Sequence, residues 1–189
     1  MSGKEKILTD SFGIDTPFRV LQTDNIDDSL FLRKKSIDLD VKGVASDKDW
    51  QRFIQRLKLT LSEESGVGIA APQVGVGYNL FLFMRMDRPG NVVEVAINPR
   101  IINYSDETVC FERDGCLSVP GLSGNTKRHA WIDVEYYNEQ GVLIKERLSG
   151  QSRESDFTGI IFQHEFDHLQ GILFTDRLCE GAANLQRSK

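Results

Sequence analysis

The sequence predicts a fold that combines helices with antiparallel strands, and three patterns support this prediction. A helical apolar period covers residues 50–61, short apolar or alternating runs follow between residues 80 and 148, and a second helical stripe begins near residue 155. The chain has 189 residues, the size of one domain rather than two. We therefore expect a single domain over residues 1–189, with residues 1–45 as an extended segment packed on its body.

The first helix is indicated by apolar residues on one face. The residues that share this face are Trp50, Phe53, Ile54, Leu57 and Leu61. Ser46 or Asp47 can cap the start, and Gly66 ends the segment. Strands are predicted at residues 80–84, 92–97, 131–137 and 142–148, and the NEQG turn at 138–141 joins the last two as a hairpin. The middle of the chain is therefore mostly antiparallel strand.

The second helix carries Phe157, Ile160, Ile161, His164, His168 and Leu169 on one stripe. Its start is expected at Ser155 or Asp156, and Gly171 is placed as the residue that stops it. This helix contains two of only three histidines in the chain.

Charge and composition exclude several classes of function. The 23 Lys and Arg against 28 Asp and Glu give a net charge of −5, so we expect no direct nucleic-acid binding. The first residues lack the apolar core of a secretory signal, and the longest uncharged run, residues 65–84, contains glycines and a proline. No membrane span and a cytoplasmic location are expected. The three cysteines, Cys110, Cys116 and Cys179, are odd in number and irregularly spaced, which favours free thiols or a metal ligand over disulfides.

The pattern His164-Glu165-x-x-His168 indicates a metal site on the second helix. Residues at i and i+4 lie on one helical face, so both imidazoles can reach one ion. Glu165 beside them can act as a general base and then a general acid. Two histidines four residues apart also arise by chance, but the full motif is expected in roughly one in three hundred chains of this composition.

The third ligand is expected upstream of this helix. Downstream of His168 the only carboxylates are Asp176 and Glu180, and neither can form a separate helical layer. Cys116 is the best candidate because Gly115 and Pro120 mark irregular backbone around it. Taken alone, Cys116 would be read as a small buried apolar residue.

Residues 66–71 match the dinucleotide pattern G-x-G-x-x-A, but a helix precedes them and Pro72 follows. That order is the reverse of a nucleotide site. The glycines instead favour a segment whose backbone approaches a ligand closely, with Gln73 as an amide donor. An ordinary surface role for Gln73 stays open.

Three segments in order resemble the peptide deformylase family: residues 66–73 (GVGIAAPQ), 114–118 (DGCLS) and 163–171 (QHEFDHLQG). The resemblance covers residues from about 50 to 178. It implies an α+β fold in which antiparallel strands surround the C-terminal metal-binding helix, with the other amphipathic helix nearer the N-terminus. It also implies removal of the formyl group from the N-formylmethionine of nascent chains at the ribosome.

Residue roles follow from the same resemblance. It implies that Cys116, His164 and His168 are the metal ligands and that Glu165 is the acid and base. It assigns the oxyanion donors to the Gln73 side chain and the Leu117 backbone N–H. The remaining matches are Val67, Gly68 and Gly115, whose backbone pairs with the substrate. Phe157, Ile160 and Ile161 share the helical face of His164, and the matching hypothesis is a methionine pocket that includes Ile160; an ordinary core role for these three residues stays open.

The ligand chemistry and the family resemblance favour different metal ions. The ligand types alone favour Zn²⁺, because thiolate and imidazole suit it. The resemblance implies Fe²⁺, with Zn²⁺, Ni²⁺ or Co²⁺ able to substitute. Asp114 departs from the family's usual Glu and puts the contacts behind the ligands in doubt. Two alternatives stay open: a metallopeptidase that uses the same helix, and a deformylase-like binding domain without turnover.

Overall fold

The computed structural model describes residues 15–181 and 185–187. Within them lie three α-helices and eight strands. The helices are α1 (Ile26–Leu32), α2 (Lys48–Glu63) and α3 (Thr158–Leu169). The strands are β1 (Gly68–Ala70), β2 (Leu80–Arg85), β3 (Val92–Tyr104), β4 (Thr108–Gly115), β5 (Leu122–His129), β6 (Trp131–Tyr137), β7 (Leu143–Ser149) and β8 (Leu185–Arg187). Short 3-10 helices occupy Ala71–Val74 and Phe174–Asp176.

The strands form two sheets in which every pairing of neighbours is antiparallel. One sheet has the order β1-β2-β3-β6-β7 and the other has the order β4-β5-β8. The predicted hairpin is present as β6 and β7, with Tyr137 opposite Leu143. The α+β class predicted from the sequence is therefore confirmed.

Alternation along β2 places the two longer helices on opposite faces of the larger sheet. Leu80 and Leu82 pack in the cluster that contains the apolar face of α2. Phe81 and Phe83 pack in the cluster that contains α3. Successive side chains of a strand point to opposite faces, so β2 lies between two apolar layers and is buried on both sides.

Helix α2 begins and ends close to the predicted positions. The Asp47 carboxylate accepts hydrogen bonds from the backbone N–H groups of Asp49 and Trp50, which satisfies two of the free donors at the start of a helix. The residues of its predicted apolar face are all buried.

Helix α3 is enclosed rather than amphipathic. Eleven of its twelve residues are buried, and Phe166 is the exception. The larger sheet covers one side, while Phe111 of β4 and residues of β5 contact another. The helix stops as predicted, with Gly171 at a φ of 72°. A polar motif on this helix is thus held inside the protein.

The prediction of an extended segment over residues 1–45 is wrong for residues 26–32, which form α1. The Asn25 side chain caps this helix by accepting a hydrogen bond from the Asp28 N–H. The Asp28 carboxylate also pairs with Arg19. The aspartates that suggested an extended chain therefore help to start a helix. Residues 1–14 of the predicted segment lie outside the described residues.

The expectation of free thiols is wrong for two of the three cysteines. Cys110 and Cys179 form a disulfide, with their Cα atoms 6.1 Å apart. Both are positioned by β5: Cys110 lies on β4, which pairs with β5, and the Cys179 N–H bonds to the Asn125 carbonyl. The two cysteines are 69 residues apart in sequence, so spacing alone could not reveal the pairing.

None of the helices in the described ranges is long and apolar enough to cross a membrane.

Reduction of the Cys110–Cys179 disulfide is expected to lower the free energy of unfolding by about 3–4 kcal/mol, because it releases a long closed loop in the unfolded chain. Urea unfolding with and without dithiothreitol measures this difference. In the double variant Cys110→Ser/Cys179→Ser, the reductant should have no effect. Equal urea midpoints for the oxidised and reduced wild-type protein would contradict the expectation.

Candidate metal centre and cleft

Three side chains from two segments converge at the centre of the molecule. The Sγ of Cys116 lies 3.2 Å from Nε2 of His168. One ligand atom from each of Cys116, His164 and His168 lies within 4.8 Å of the other two. Within the described residues, no other group of three His, Cys, Asp or Glu side chains lies close enough together to hold a metal ion. The structure thus brings together the three residues predicted as metal ligands.

The donor set fits a divalent transition metal. One thiolate and two imidazoles are soft and borderline donors, which favour Zn²⁺, Fe²⁺ or similar ions over Mg²⁺ and Ca²⁺. Three protein ligands leave a coordination position open, as catalytic sites require. Glu165 lies beside the histidines, and its buried Oε2 has no hydrogen-bond partner among the residues described. This oxygen can accept a hydrogen bond from a water molecule or a substrate bound in the site.

His164 is oriented by the carboxylate of Asp114. The Nδ1 of His164 lies 3.0 Å from Asp114 Oδ1, and the carboxylate can only accept, so Nδ1 carries the hydrogen. Nε2 of His164 is therefore the ring atom that an ion would bind, in place of a proton. Burial alone would lower the pKa of His164, but the charge of Asp114 outweighs it and raises that pKa well above its usual value. The same carboxylate therefore makes Nε2 more basic, and an ion bound there would displace a proton.

His168 lies in a different environment. Burial, reinforced by the charge of His164, lowers the pKa of His168 well below its usual value. A low pKa keeps the ring neutral, and the neutral imidazole is the form that binds metals.

A buried ionic network lies behind the ligands. Arg128 of β5 donates to Asp167 of α3 at 2.6 Å and to Asp114 of β4 at 3.2 Å. Thr126 Oγ1 also donates to Asp114, and Arg177 donates to Asp167. Burial would raise the pKa of Asp114, but His164 and Arg128 hold it well below the usual range. Asp114 therefore stays ionised.

Sequence reasoning did not find Arg128, Thr126 or Asp167 as part of this site. The sequence marks Asp114 only as a departure from the family pattern. In the structure its shorter side chain reaches His164 directly. Thr126 and Arg128 are two residues apart, so the sequence could indicate that they share one face of a strand. That spacing does not reveal which residues of other segments they contact.

Glu165 is enclosed by backbone. A Cβ placed on Gly68 would lie 2.8 Å from Cδ of Glu165 and 2.9 Å from its Cγ, closer than real atoms approach. Glycine at position 68 therefore lets β1 approach the carboxylate. Burial raises the pKa of Glu165 to about 7. A carboxyl group with that pKa can hold or release a proton near neutral pH.

Gln73 directs a hydrogen-bond donor towards the ligands, and Leu117 directly follows the ligand Cys116 in the sequence. The Oε1 of Gln73 accepts from the Ala70 N–H at 2.8 Å, which fixes the orientation of the amide. Its Nε2 therefore faces Cys116 Sγ at 3.6 Å and Ser118 Oγ at 3.2 Å. The Leu117 N–H follows Cys116 in the same turn and donates to no described residue.

A cleft of about 970 Å³ opens over the site. Its wall includes nine of the ten predicted site residues: Val67, Gly68, Gln73, Gly115, Cys116, Leu117, Ile160, His164 and Glu165. His168 is the exception, since it is 1% exposed and lies behind the wall. The cleft is bordered by β1 and by the end of β4, which are both edge strands of their sheets. An edge strand has free backbone groups that can pair with an extended peptide.

Comparisons with known proteins find similar sequences and structures in one family. The family model for polypeptide deformylase matches residues 21–184. Peptide deformylase 2 of Nostoc sp. is 43% identical over 134 residues, which cover 68% of this chain and 71% of that protein. The crystal structure of a Thermotoga maritima peptide deformylase is 31% identical, with a TM-score of 0.73, and covers 87% of this chain and 99% of its own.

A second solved structure contains a peptide. It is a class I type b peptide deformylase from Acinetobacter baumannii in a crystal structure bound to Met-Ala-Ser. It is 29% identical to this chain, with a TM-score of 0.74, and covers 87% of this chain and 99% of its own.

The variant Asp114→Asn is expected to bind Zn²⁺ about 10- to 100-fold more weakly, because it removes the charge that orients and strengthens His164. Competition with a chromophoric chelator measures the affinity. Asp133→Asn is the matched control, since Asp133 of β6 pairs with Arg147 of the edge strand β7 and neither residue lines the cleft. Thermal unfolding identifies any loss of folded protein. An unchanged affinity in folded Asp114→Asn would contradict this role.

Proposed function

The chain belongs to the polypeptide deformylase family, and we propose that it hydrolyses the formyl group of N-formylmethionyl peptides to formate and a free amine. The observation that carries this proposal is the convergence of Cys116, His164 and His168 beside the buried Glu165, whose Oε2 has no hydrogen-bond partner within the described residues. We assign the three converging residues as the metal ligands. Fe²⁺ is the proposed native ion, with Zn²⁺, Ni²⁺ or Co²⁺ as substitutes.

A bound ion would supply positive charge that lowers the pKa of water and polarises a carbonyl group. The protein's own residues supply the rest of the chemistry. As water adds to the formyl carbon, negative charge develops on the formyl oxygen. The Gln73 Nε2 and the Leu117 N–H are preorganised donors for that charge, and removal of one such donor typically costs about 10²–10³ in rate.

Glu165 is assigned as the group that moves the proton. Its pKa of about 7 allows it to accept a proton from water and then deliver it to the leaving nitrogen. The bond between the formyl carbon and nitrogen breaks as the amine takes this proton. Close contact between Gly68 and the carboxyl group keeps the carboxylate beside the histidines.

The peptide is proposed to lie along the cleft as an added strand. Backbone groups at Val67, Gly68 and Gly115 are the proposed partners, because β1 and β4 are edge strands at this place. The apolar wall formed by Phe157, Ile160 and Ile161 shares the face of α3 with His164 and is the proposed pocket for the methionine side chain. Met-Ala-Ser in the Acinetobacter baumannii structure supports a peptide of this kind.

The substrates in the cell are proposed to be nascent chains at the ribosome, in the cytoplasm. The net charge of −5 argues against direct binding of ribosomal RNA, so encounter with the emerging chain is the proposed route.

Iron-loaded protein, prepared without oxygen because thiolate ligands oxidise, is expected to release formate from formyl-Met-Ala-Ser and to leave Met-Ala-Ser intact. Glu165→Ala should retain the metal but lose about 10²–10⁴ in turnover. Glu135→Ala is the control, because Glu135 pairs with Lys145 on an outer strand. Formate is measured with formate dehydrogenase, and the metal by atomic absorption.

Three results would contradict the proposal. Cleavage of the unformylated peptide would indicate a metallopeptidase. Absence of formate release from metal-loaded protein would indicate a binding domain without turnover. Undiminished formate release by Glu165→Ala would remove Glu165 from its assigned role.

A further inference from the structure

One end of the apolar wall is closed by two aromatic rings from different segments. Phe111 lies on β4 and Phe157 precedes α3, and their ring centroids are 5.6 Å apart. Both rings are buried and both line the cleft. Ile160 and Ile161 continue the same wall towards His164. The separation of these two segments therefore sets the size of this end of the cleft.

Arg153 holds the two segments together. Its Nε donates to the Glu112 carbonyl at 3.2 Å and its Nη2 donates to the Arg113 carbonyl at 2.7 Å. The guanidinium carbon lies 5.0 Å from the centre of the Phe111 ring and 5.8 Å from that of Phe157. A planar guanidinium can make both hydrogen bonds and contact both rings at once, which a lysine ammonium cannot do.

The carbonyls that Arg153 binds belong to an irregularity in β4. The pairing of β4 with β5 shifts register between Phe111 and Asp114, and Arg113 has a φ of 54°. Residues in such a bulge do not follow the regular ladder, so their backbone groups are open to other partners. A side chain of the segment before α3 thus binds the strand that leads to Gly115 and Cys116.

We propose that Arg153 determines specificity by closing the methionine pocket at its Phe111–Phe157 end. This inference rests on the proposed function, because it concerns the side chain that the pocket accepts. Arg153 is a positioning residue: it fixes the two rings and excludes side chains bulkier than methionine. Truncation at position 153 opens that end of the pocket and weakens discrimination against an aromatic side chain.

The test compares the binding of Met-Ala-Ser and Phe-Ala-Ser to zinc-loaded protein by calorimetric competition. In Arg153→Ala the dissociation constant of Phe-Ala-Ser divided by that of Met-Ala-Ser should fall about tenfold, so that the aromatic peptide is discriminated against less. Small changes in an apolar pocket typically alter such discrimination by about 10-fold or more. Arg153→Lys keeps the charge but not the two-pronged hydrogen bonding, and its ratio should lie between those of wild type and Arg153→Ala.

Arg147→Ala is the matched control. Arg147 also lies over an aromatic ring, with its guanidinium carbon 3.6 Å from the centre of Trp131, and it pairs with Asp133 away from the cleft. Its ratio should equal that of wild type. The inference is overturned if Arg153→Ala weakens both peptides equally, or if Arg147→Ala changes the ratio as much. Formate release by wild type tests the proposed function separately, because the binding ratio does not depend on turnover.

Discussion

The buried pairing of Arg128 with Asp114 and Asp167 is the interaction on which the rest of the site depends. It joins β5 to β4 and to α3, and all three side chains are nearly inaccessible to solvent. Loss of Arg128 would remove the buried cation that Asp114 and Asp167 share, and breaking a buried ion pair typically costs about 3–5 kcal/mol. Because Cys116 follows Asp114 by two residues and Asp167 precedes His168, the same network aligns the two segments that supply the converging side chains.

Leu21 and Thr23, which precede α1, contribute to the same alignment. The Leu21 N–H donates to the Gln73 carbonyl at 2.7 Å, and the Thr23 N–H donates to the Ser118 carbonyl at 2.8 Å. Both acceptors belong to the backbone that presents hydrogen-bond donors to the site. This segment therefore supports the geometry of the cleft from outside, while the ionic network supports it from inside. Glu165 lies buried, and its Oε2 has no hydrogen-bond partner among the residues that the structure describes.

Sequence reasoning succeeded where the decisive geometry is local. The spacing of His164 and His168 places two imidazoles on one face in any helix, and the short apolar run at residues 80–84 predicts a strand that the structure has as part of β2. It failed where contacts join distant segments. Cys110 and Cys179 are 69 residues apart and meet through β5, and Arg128 pairs with Asp114 and Asp167, which are 14 and 39 residues away in the sequence. Arg153 likewise has no local pattern that indicates its carbonyl partners in β4.

The central claim is that one thiolate and two imidazoles from these segments hold a single ion. X-ray absorption at the metal edge of the iron- or zinc-loaded protein tests it most directly, because sulfur and imidazole nitrogen scatter distinguishably. The account predicts one sulfur and two imidazole ligands, with the sulfur lost in Cys116→Ala. A spectrum without sulfur, or one that Cys116→Ala leaves unchanged, would contradict it.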